Sequence, residues 1–378
     1  MFRRETIFSN IDWWLVLPIL PIFAGGLFTM STFTGTSTFF ERQLIWIVIS
    51  FFACVVCSKL DIRYFKRTNF LVGLFLFFTT LLLLLFVFGH TANGAKSWFS
   101  VGGFSLQPSD FMKLVLVLIL AKYFSRRHVE IGNIKHIFIS ATYAFIPFIL
   151  IFLQPDFGSA IVILLIWFGM VMVSGLSKRQ LLSVGILGFT AVAMLWLFVF
   201  QDYQKNRIMN FIHPLADVEG SGYNAFQSTI AVGSGQLFGK GIGFGTQSRL
   251  EFLPEYETDF IFAAFAEEWG FIGAILILIC YAIVIGRILS ISMKGASNFE
   301  MLYGVGLSIF LMSHIVVNMG MNIGLMPVTG IPLPFMSYGG SHIVVEMVGI
   351  GILMGMKHYT RVIHRDDIQK EFVGIGTI

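Results

Sequence analysis

The sequence predicts an all-α polytopic membrane protein: about ten transmembrane helices, both termini in the cytoplasm, and one large outer loop between spans 7 and 8. Three observations carry this. The 378 residues are 56% hydrophobic and only 12% charged, with a mean hydropathy of +0.82, whereas a soluble domain is about a quarter charged. The apolar residues recur in runs of about 17–25, the length that crosses a bilayer as a helix. The Lys and Arg residues concentrate on alternate connections.

Taken in order, the spans are expected at about 13–33, 43–58, 70–88, 108–125, 136–153, 157–175, 180–200, 258–286, 300–325 and 341–357. The second is short as read and should extend on both sides. On this count 18 of the 25 Lys and Arg residues fall on the side that carries the termini, Arg3, Arg4, Lys59, Lys66, Arg287 and Lys357 among them. Six fall on the other side, namely Arg42, Lys96, Lys205, Arg207, Lys240 and Arg249, and Lys113 lies inside a span. Positive-inside then puts the basic side in the cytoplasm. The net charge of +4 is therefore a topology signal and points to no nucleic-acid partner. Residues 1–378 read as a single transmembrane domain. The first apolar run is followed by many more, so no cleavable signal peptide is needed. The absence of an internal repeat weighs against an inverted-repeat transporter. Cys54 and Cys57 form a C-x-x-C spacing inside an apolar run with no other ligand type nearby, and thiols so placed act as small hydrophobes.

The outer face receives residues 89–109, 154–156, 201–257 and 326–340. A connection as long as 201–257 is functional or disordered as a rule. Its aromatic, apolar and Gly-rich patches predict that it folds onto the membrane face. It leads into SRLEFLPEYETDFIFAAFAEEWG, residues 248–270, where six of the chain's 21 carboxylates fall within 18 residues: Glu251, Glu255, Glu257, Asp259, Glu267 and Glu268. Acids at a membrane boundary are functional candidates. Pro254 ends the loop, and Thr258 is the expected N-cap of the eighth span, with Asp259 in its first turn. Asp259, Ala263, Ala266, Gly270 and Gly273 then share one face, either a tight helix contact or the wall of a cavity. A span of about 20 residues ending at Arg287 begins near Glu267, so Asp259 is expected roughly 12 Å further out, at headgroup level. Glu267 and Glu268 point to other faces and read as structural.

In NGAKSWFSVGGFSLQPSDFMKL, residues 93–114, Pro108 opens the fourth span and Ser109 is the expected cap. Asp110 and Lys113 form an i,i+3 pair, read equally as a structural ion pair or as an anion-site lysine held by its acid. Asp156, in QPDFGSA, reads first as a cap on the sixth span and second as a cavity residue. Gly239, Gly241, Gly243 and Gly245 alternate and let the backbone approach a ligand closely. The GKG there is not a P-loop, because Gly241 replaces the required Ser or Thr. Arg207, Lys240 and Arg249 are candidate phosphate contacts. MPVTGIPLPFMSYGGSH, residues 326–342, is too rich in Pro and Gly to be helical, and such backbone at membrane depth is buried in protein or lines a cavity. His314, Asn318 and Asn322 form a polar stripe before it and His342 and Glu346 one after it, both read as interhelical hydrogen bonding.

The segments GAKSWFSVGGFSLQPSDFMKL, QPDFGSAI, GKGIGFGTQSRLEFLPEYETDFIFAAFAEEWGFIG and GLMPVTGIPLPFMSYGGS resemble, in order, the SEDS family of shape, elongation, division and sporulation proteins. The likeness runs from the third span to the tenth, and GTQ and VTGIPLPF are closer to the RodA elongation branch than to the FtsW division branch. It implies a peptidoglycan glycosyltransferase that polymerises lipid II, an undecaprenyl-pyrophosphate-linked disaccharide peptide, on the outer face of the bacterial cytoplasmic membrane beside a class B penicillin-binding protein. The family's essential aspartate falls on Asp259. Its Glu–Lys pair falls on Asp110 and Lys113, with Asp shortening the acid arm, and Glu257 stands where His is commoner. The implied mechanism uses Asp259 as general base on a sugar hydroxyl, with inversion at the anomeric carbon. The departing pyrophosphate would be stabilised by Lys240, Arg207, Lys113 or a divalent cation such as Mg or Mn. Two other readings, a flippase for the lipid-linked precursor and a non-catalytic scaffold for the penicillin-binding protein, differ in leaving Asp259 dispensable.

Overall fold

The structure, a computed structural model, describes residues 10–32, 37–92, 95–101, 104–126, 134–175, 178–198, 200, 202–213, 221–249, 252–253 and 255–374. Arg3, Arg4, Glu251, Pro254 and the side chain of Arg249, which entered the sequence reading, lie outside them.

The chain begins with α1 (Trp13–Val16) and α2 (Ile19–Ser31), one span interrupted at Pro18, which lacks the N–H that would continue the helix. α3 (Ser37–Lys59) does extend beyond 43–58 at both ends, and α4 (Ile62–Lys66) and α5 (Thr68–Phe88) follow. α5 is apolar all round, and Val72, Leu76, Phe77, Leu83 and Val87 stand exposed on it, the surface a helix offers to lipid. A small antiparallel meander comes next: β1 (His90–Ala92), β2 (Ala95–Val101) and β3 (Phe104–Leu106), with Phe99 opposite Leu106 and Val101 opposite Phe104. The all-α expectation missed it, because β1 and β3 have only three residues each and the seven of β2, AKSWFSV, show no clean apolar–polar alternation. Lys96 Nζ ties it to the Phe86 carbonyl at the end of α5.

α6 (Pro108–Ser125) is the hub, packed against α5, the helices α7 (Ile134–Leu153) and α8 (Phe157–Val173), and the last two helices of the chain. Residues 112 and 114–121 of α6 are all buried apolar side chains. α9 (Lys178–Phe198) is the opposite case, with none of its apolar stretch buried. The long connection over residues 201–257 forms α10 (Asp202–Ile212), α11 (Ser221–Ser234) and α12 (Thr246–Arg249), and α11 packs across α13 (Ile261–Ser292) and α14 (Asn298–Asn322). α15 (Gly340–Gly374) closes the chain against α3.

Eight helices among the described residues are long and apolar enough to cross a membrane. The other two expected spans fall on α6, which carries Asp110, Lys113 and Lys122, and on α8, which has 17 residues. Far from Asp259 along α13, Asp12 pairs with Arg287 (2.9 Å) and with Lys357, and Lys66 pairs with Glu300 (2.8 Å). Burial alone would raise the Asp12 carboxyl, but its two cations hold it below the usual range.

Most of the irregular segment 326–340 is buried in protein and its first residues line a cavity, the two placements the membrane rule allows. Its backbone polar groups are met by side chains from surrounding helices. His314 Nδ1 lies 3.2 Å from the Pro332 carbonyl, Tyr281 donates to that of Pro334, Gln43 Nε2 to that of Ser337 (2.9 Å), and Glu346 accepts from Phe335 N (3.0 Å). Gly26 and Gly158 let α2 and α8 come close, since a methyl on either would overlap the carbonyl of Met336 or Thr329.

Candidate functional site

The eighth span is not the continuous helix the sequence predicts. Gly270 sits inside α13 at φ 68°, ψ −168° and breaks it. Carbonyls and amides freed at such a break need partners, and the glycine-rich loop supplies them. Lys240 N and Gly241 N donate to the carbonyls of Glu267 (3.0 Å) and Glu268 (3.0 Å), while Phe271 N and Ile272 N donate to those of Gln236 (2.8 Å) and Leu237 (3.1 Å). Gly239 (φ 80°) is required here, because a methyl on it would overlap the Glu268 carbonyl. The close approach that the glycines permit is thus to α13 itself. Glu267 and Glu268 complete the joint. Glu267 accepts from Lys240 Nζ (2.7 Å), Thr246 N (2.8 Å) and Gln247 N (3.1 Å), and Glu268 from Thr32 Oγ1 (2.7 Å) and Gly243 N (3.0 Å). The structural reading of both acids stands: the loop supplies most of the partners, and Thr32 at the end of α2, a neighbouring span, supplies one.

Asp259 precedes this helix. The N-cap is Phe260, and Thr258 Oγ1 turns back to Glu255 Oε2 (3.1 Å) instead of capping. Residues 255–260 form a tight turn in which Thr258 N, Asp259 N and Phe260 N all donate to the Glu255 carbonyl. The expected face of small residues below Asp259 is therefore not a continuous helix face. Ala266 and Gly270 meet the loop at Gly235 and Gly239, and Ala263 meets Asn322. On its other side the Asp259 carboxylate faces Gly330 (φ 71°), where an added methyl would lie 3.4 Å from Oδ2.

The Asp259 side chain is half-buried. Burial, then the neighbouring Glu255, pushes its carboxyl up to about 7. Arg207 opposes the rise, and Asp156 and Glu257 add to it. A carboxyl titrating there is split between acid and base at neutral pH, the condition that suits a general base. The structure so brings Asp259, Arg207 and Asp156 into one electrostatic neighbourhood. Asp156 also caps α8 through Ser159 N (3.0 Å) and accepts from Gln107 Nε2 (2.9 Å). Beside Arg207 a cavity of about 170 Å³ opens between α10, α11 and the turn after α14, lined with Phe211, Phe226, Met326 and Val328.

Lys113 is 1% exposed and lies 2.9 Å from Asp110. Both readings of this pair require that contact. The short acid arm is supplemented: Ser341 Oγ reaches Asp110 Oδ2 (3.3 Å), and His342 lies between Asp110 (3.5 Å) and Glu346 (2.9 Å). Ser109 caps nothing. Gln107 is the N-cap of α6, and Pro108 occupies the first turn as expected. Lys240 is committed to Glu267. Among the described residues no three His, Cys, Asp or Glu side chains gather closely enough to hold a metal ion.

Sequence reasoning passed over Asn318 and Asn322 as groups touching the Asp259 segment. Their stripe does hydrogen-bond, but mainly to non-helical backbone: Asn318 Nδ2 donates to the carbonyls of Asp259 (2.9 Å) and Ile331 (2.7 Å), and Asn322 Nδ2 to that of Asp259 (3.1 Å). The spacing was visible; the carbonyls it would meet were not.

The chain as a whole is similar to known proteins. The model of the FtsW/RodA/SpoVE cell cycle protein family matches residues 5–362. The chain is 36% identical over 325 residues to the peptidoglycan glycosyltransferase MrdB of Escherichia coli K12, covering 86% of this chain and 87% of that one. It is 35% identical over 332 residues to stage V sporulation protein E of Bacillus subtilis, covering 87% and 89%. Among solved structures it superposes at TM-score 0.79 and 28% identity on a chain from a peptidoglycan synthase complex that coordinates polymerization and crosslinking, covering 92% of this chain and 98% of that one. It superposes at TM-score 0.69 and 28% identity on the rod shape determining protein RodA of Thermus thermophilus, covering 92% and 96%.

Proposed function

We propose how a chain that belongs to the FtsW/RodA/SpoVE family of cell cycle proteins carries out its work. It is a multi-pass membrane protein and a peptidoglycan glycosyltransferase, similar over most of its length to the elongation enzyme. In this reading the substrate is lipid II, the site faces outward from the bacterial cytoplasmic membrane, and the partner is a class B penicillin-binding protein. The observation that carries the site is Asp259: a half-buried carboxyl near neutrality on a turn whose backbone is pinned by neighbouring elements.

Asp259 takes the proton from a sugar hydroxyl of one lipid-linked disaccharide. The freed oxygen forms a bond to the anomeric carbon of the other, with inversion. The bond from that carbon to the pyrophosphate breaks, and its electron pair leaves with the undecaprenyl pyrophosphate. A pyrophosphate needs little protonation to leave, so a single base suffices. Arg207 is the cation that acts on Asp259 and is assigned to the pyrophosphate. Asp156, which also acts on Asp259, is assigned to substrate binding. Lys113 with Asp110, and Lys240 with Glu267, serve at one remove by holding the walls. A divalent cation, Mg or Mn, would in this reading arrive with the pyrophosphate, because no cage of protein ligands gathers among the described residues.

The test is a polymerisation assay with labelled lipid II, using purified protein with and without its class B partner, beside Asp259→Ala and Asp259→Asn. Glycan ladders from the native protein alone are expected. Ladders from the variants as well would remove Asp259 from the chemistry. No ladder even with the partner, while reconstituted vesicles translocate lipid II, would turn the reading to transport.

A further inference from the structure

Three successive carbonyls of the turn, those of Glu257, Thr258 and Asp259, are held from outside that turn. Tyr338 N donates to the Glu257 carbonyl (2.8 Å) and Ser337 Oγ to the Thr258 carbonyl (2.6 Å). The Asp259 carbonyl receives both Asn318 Nδ2 (2.9 Å) and Asn322 Nδ2 (3.1 Å). In an uninterrupted helix the partner of that carbonyl would be Ala263 N, four residues on. Here Ala263 N donates to Asn322 Oδ1 instead (3.2 Å), and the first regular bond of the helix is Ala264 N to the Phe260 carbonyl (3.1 Å). The side-chain amide of Asn322 is therefore spliced into the bond between residues 259 and 263, occupying both its ends. Asn318, one turn earlier on α14, uses its Nδ2 to bridge the Asp259 carbonyl and that of Ile331 (2.7 Å), the neighbour of Gly330. Both asparagines are fully buried, and Ser228 on α11 donates to the Asn322 carbonyl (2.8 Å).

We propose that Asn318 and Asn322 are positioning residues for Asp259: Asn322 holds the helix open by one turn so that Asp259 is not wound into it, and Asn318 locks the opened carbonyl to the strand of chain carrying Gly330. The inference rests on Asp259 being the base. A buried amide pair is an economical way to do this, because one carboxamide donates and accepts at once. Without Asn322, Ala263 N regains the Asp259 carbonyl, the helix starts earlier, and the carboxylate rotates away from Gly330. Misplacement of a catalytic group by about 1 Å costs about a hundredfold in rate.

The experiment uses the full chain with its class B partner and labelled lipid II, measuring kcat, KM and their pH dependence for native protein, Asn322→Leu, Asn318→Asp and Asp259→Asn, with melting in detergent as the folding control. Asn322→Leu matches the size and removes both hydrogen-bonding functions. Asn318→Asp places a carboxylate between two carbonyls and recovers a donor only when protonated. Both variants are expected to lose at least about tenfold in kcat, with KM within about twofold. The kcat deficit of Asn318→Asp should shrink as pH falls, and the pH midpoint of Asn322→Leu should move from the native one. Native kcat in both variants beside an inactive Asp259→Asn overturns the inference and leaves the base assignment standing. So does a loss of kcat that only tracks melting, with both pH profiles unmoved. Full activity in Asp259→Asn overturns the base assignment, and this inference with it.

Discussion

The pH profile of polymerisation should report the Asp259 carboxyl directly, and two neighbours should move it in opposite directions. With a carboxyl pushed up to about 7, about a tenth of the enzyme carries the base at pH 6 and about nine tenths at pH 8, so kcat should climb roughly tenfold across that interval. Glu255 is the second cause of the rise after burial, and the Asp259 amide donates to its carbonyl one turn away. A charge about 6 Å off, at an effective dielectric of about 40–80, acts with about 0.7–1.4 kcal/mol, which is about half to one pH unit. Glu255→Gln should therefore lower the midpoint by that much, and Arg207→Gln should raise it. The same linkage reaches stability. The folded pKa lies above the unfolded value of 3.8, so the folded state binds the extra proton, and stability falls as pH rises from about 4 to about 7. The penalty is fully present above that window. Asp259→Asn removes it and should melt no lower than native protein at pH 8, with the advantage gone near pH 4. A full-length gap would correspond to about 4 kcal/mol, and partial exposure reduces it to about 1–2 kcal/mol. The assay is the polymerisation rate from pH 5.5 to 9 with detergent melting alongside. A native midpoint below 5, or Glu255→Gln and Arg207→Gln shifting it the same way, would refute the reasoning.

Gly270→Ala combines a positive φ with a methyl driven into Gly239 N; it should cost more than about 2 kcal/mol, read as a lower melting temperature in detergent, and a variant that melts like native protein would show that the break is not fixed by glycine. Glu267→Gln leaves Lys240 without its anionic partner and weakens the acceptor for Thr246 N and Gln247 N. Hydrogen exchange over residues 236–247 should then rise at least about tenfold, consistent with the loss of charge-assisted bonds worth about 1.5–3 kcal/mol.

How much of this was legible beforehand differs by element. The apolar runs at 70–88 and 300–325 are near their helices because a membrane span must satisfy its backbone internally, and about 20 apolar residues are what that takes. Asp259 stood out for a related reason: a carboxylate leading into such a run is costly unless something uses it. Asp110 with Lys113 was readable because i,i+3 neighbours on a helix meet whatever surrounds them. Local periodicity and composition settle claims of this kind, since the interacting groups are close in sequence.

The break at Gly270 could not be read that way. Gly270 carries no proline or turn cluster beside it to mark a break, and only the docking of residues 236–241 replaces the helix's own bonds there. The use made of Asn318 and Asn322 was hidden for the same reason, because Asp259 is 59 and 63 positions away. Composition and spacing by themselves determined a helical membrane protein with an acid leading into one of its spans. The tertiary structure alone decided where that helix begins and which carbonyls go to asparagine, because those bonds form only once α11, α13, α14 and the irregular segment 326–340 have been brought together.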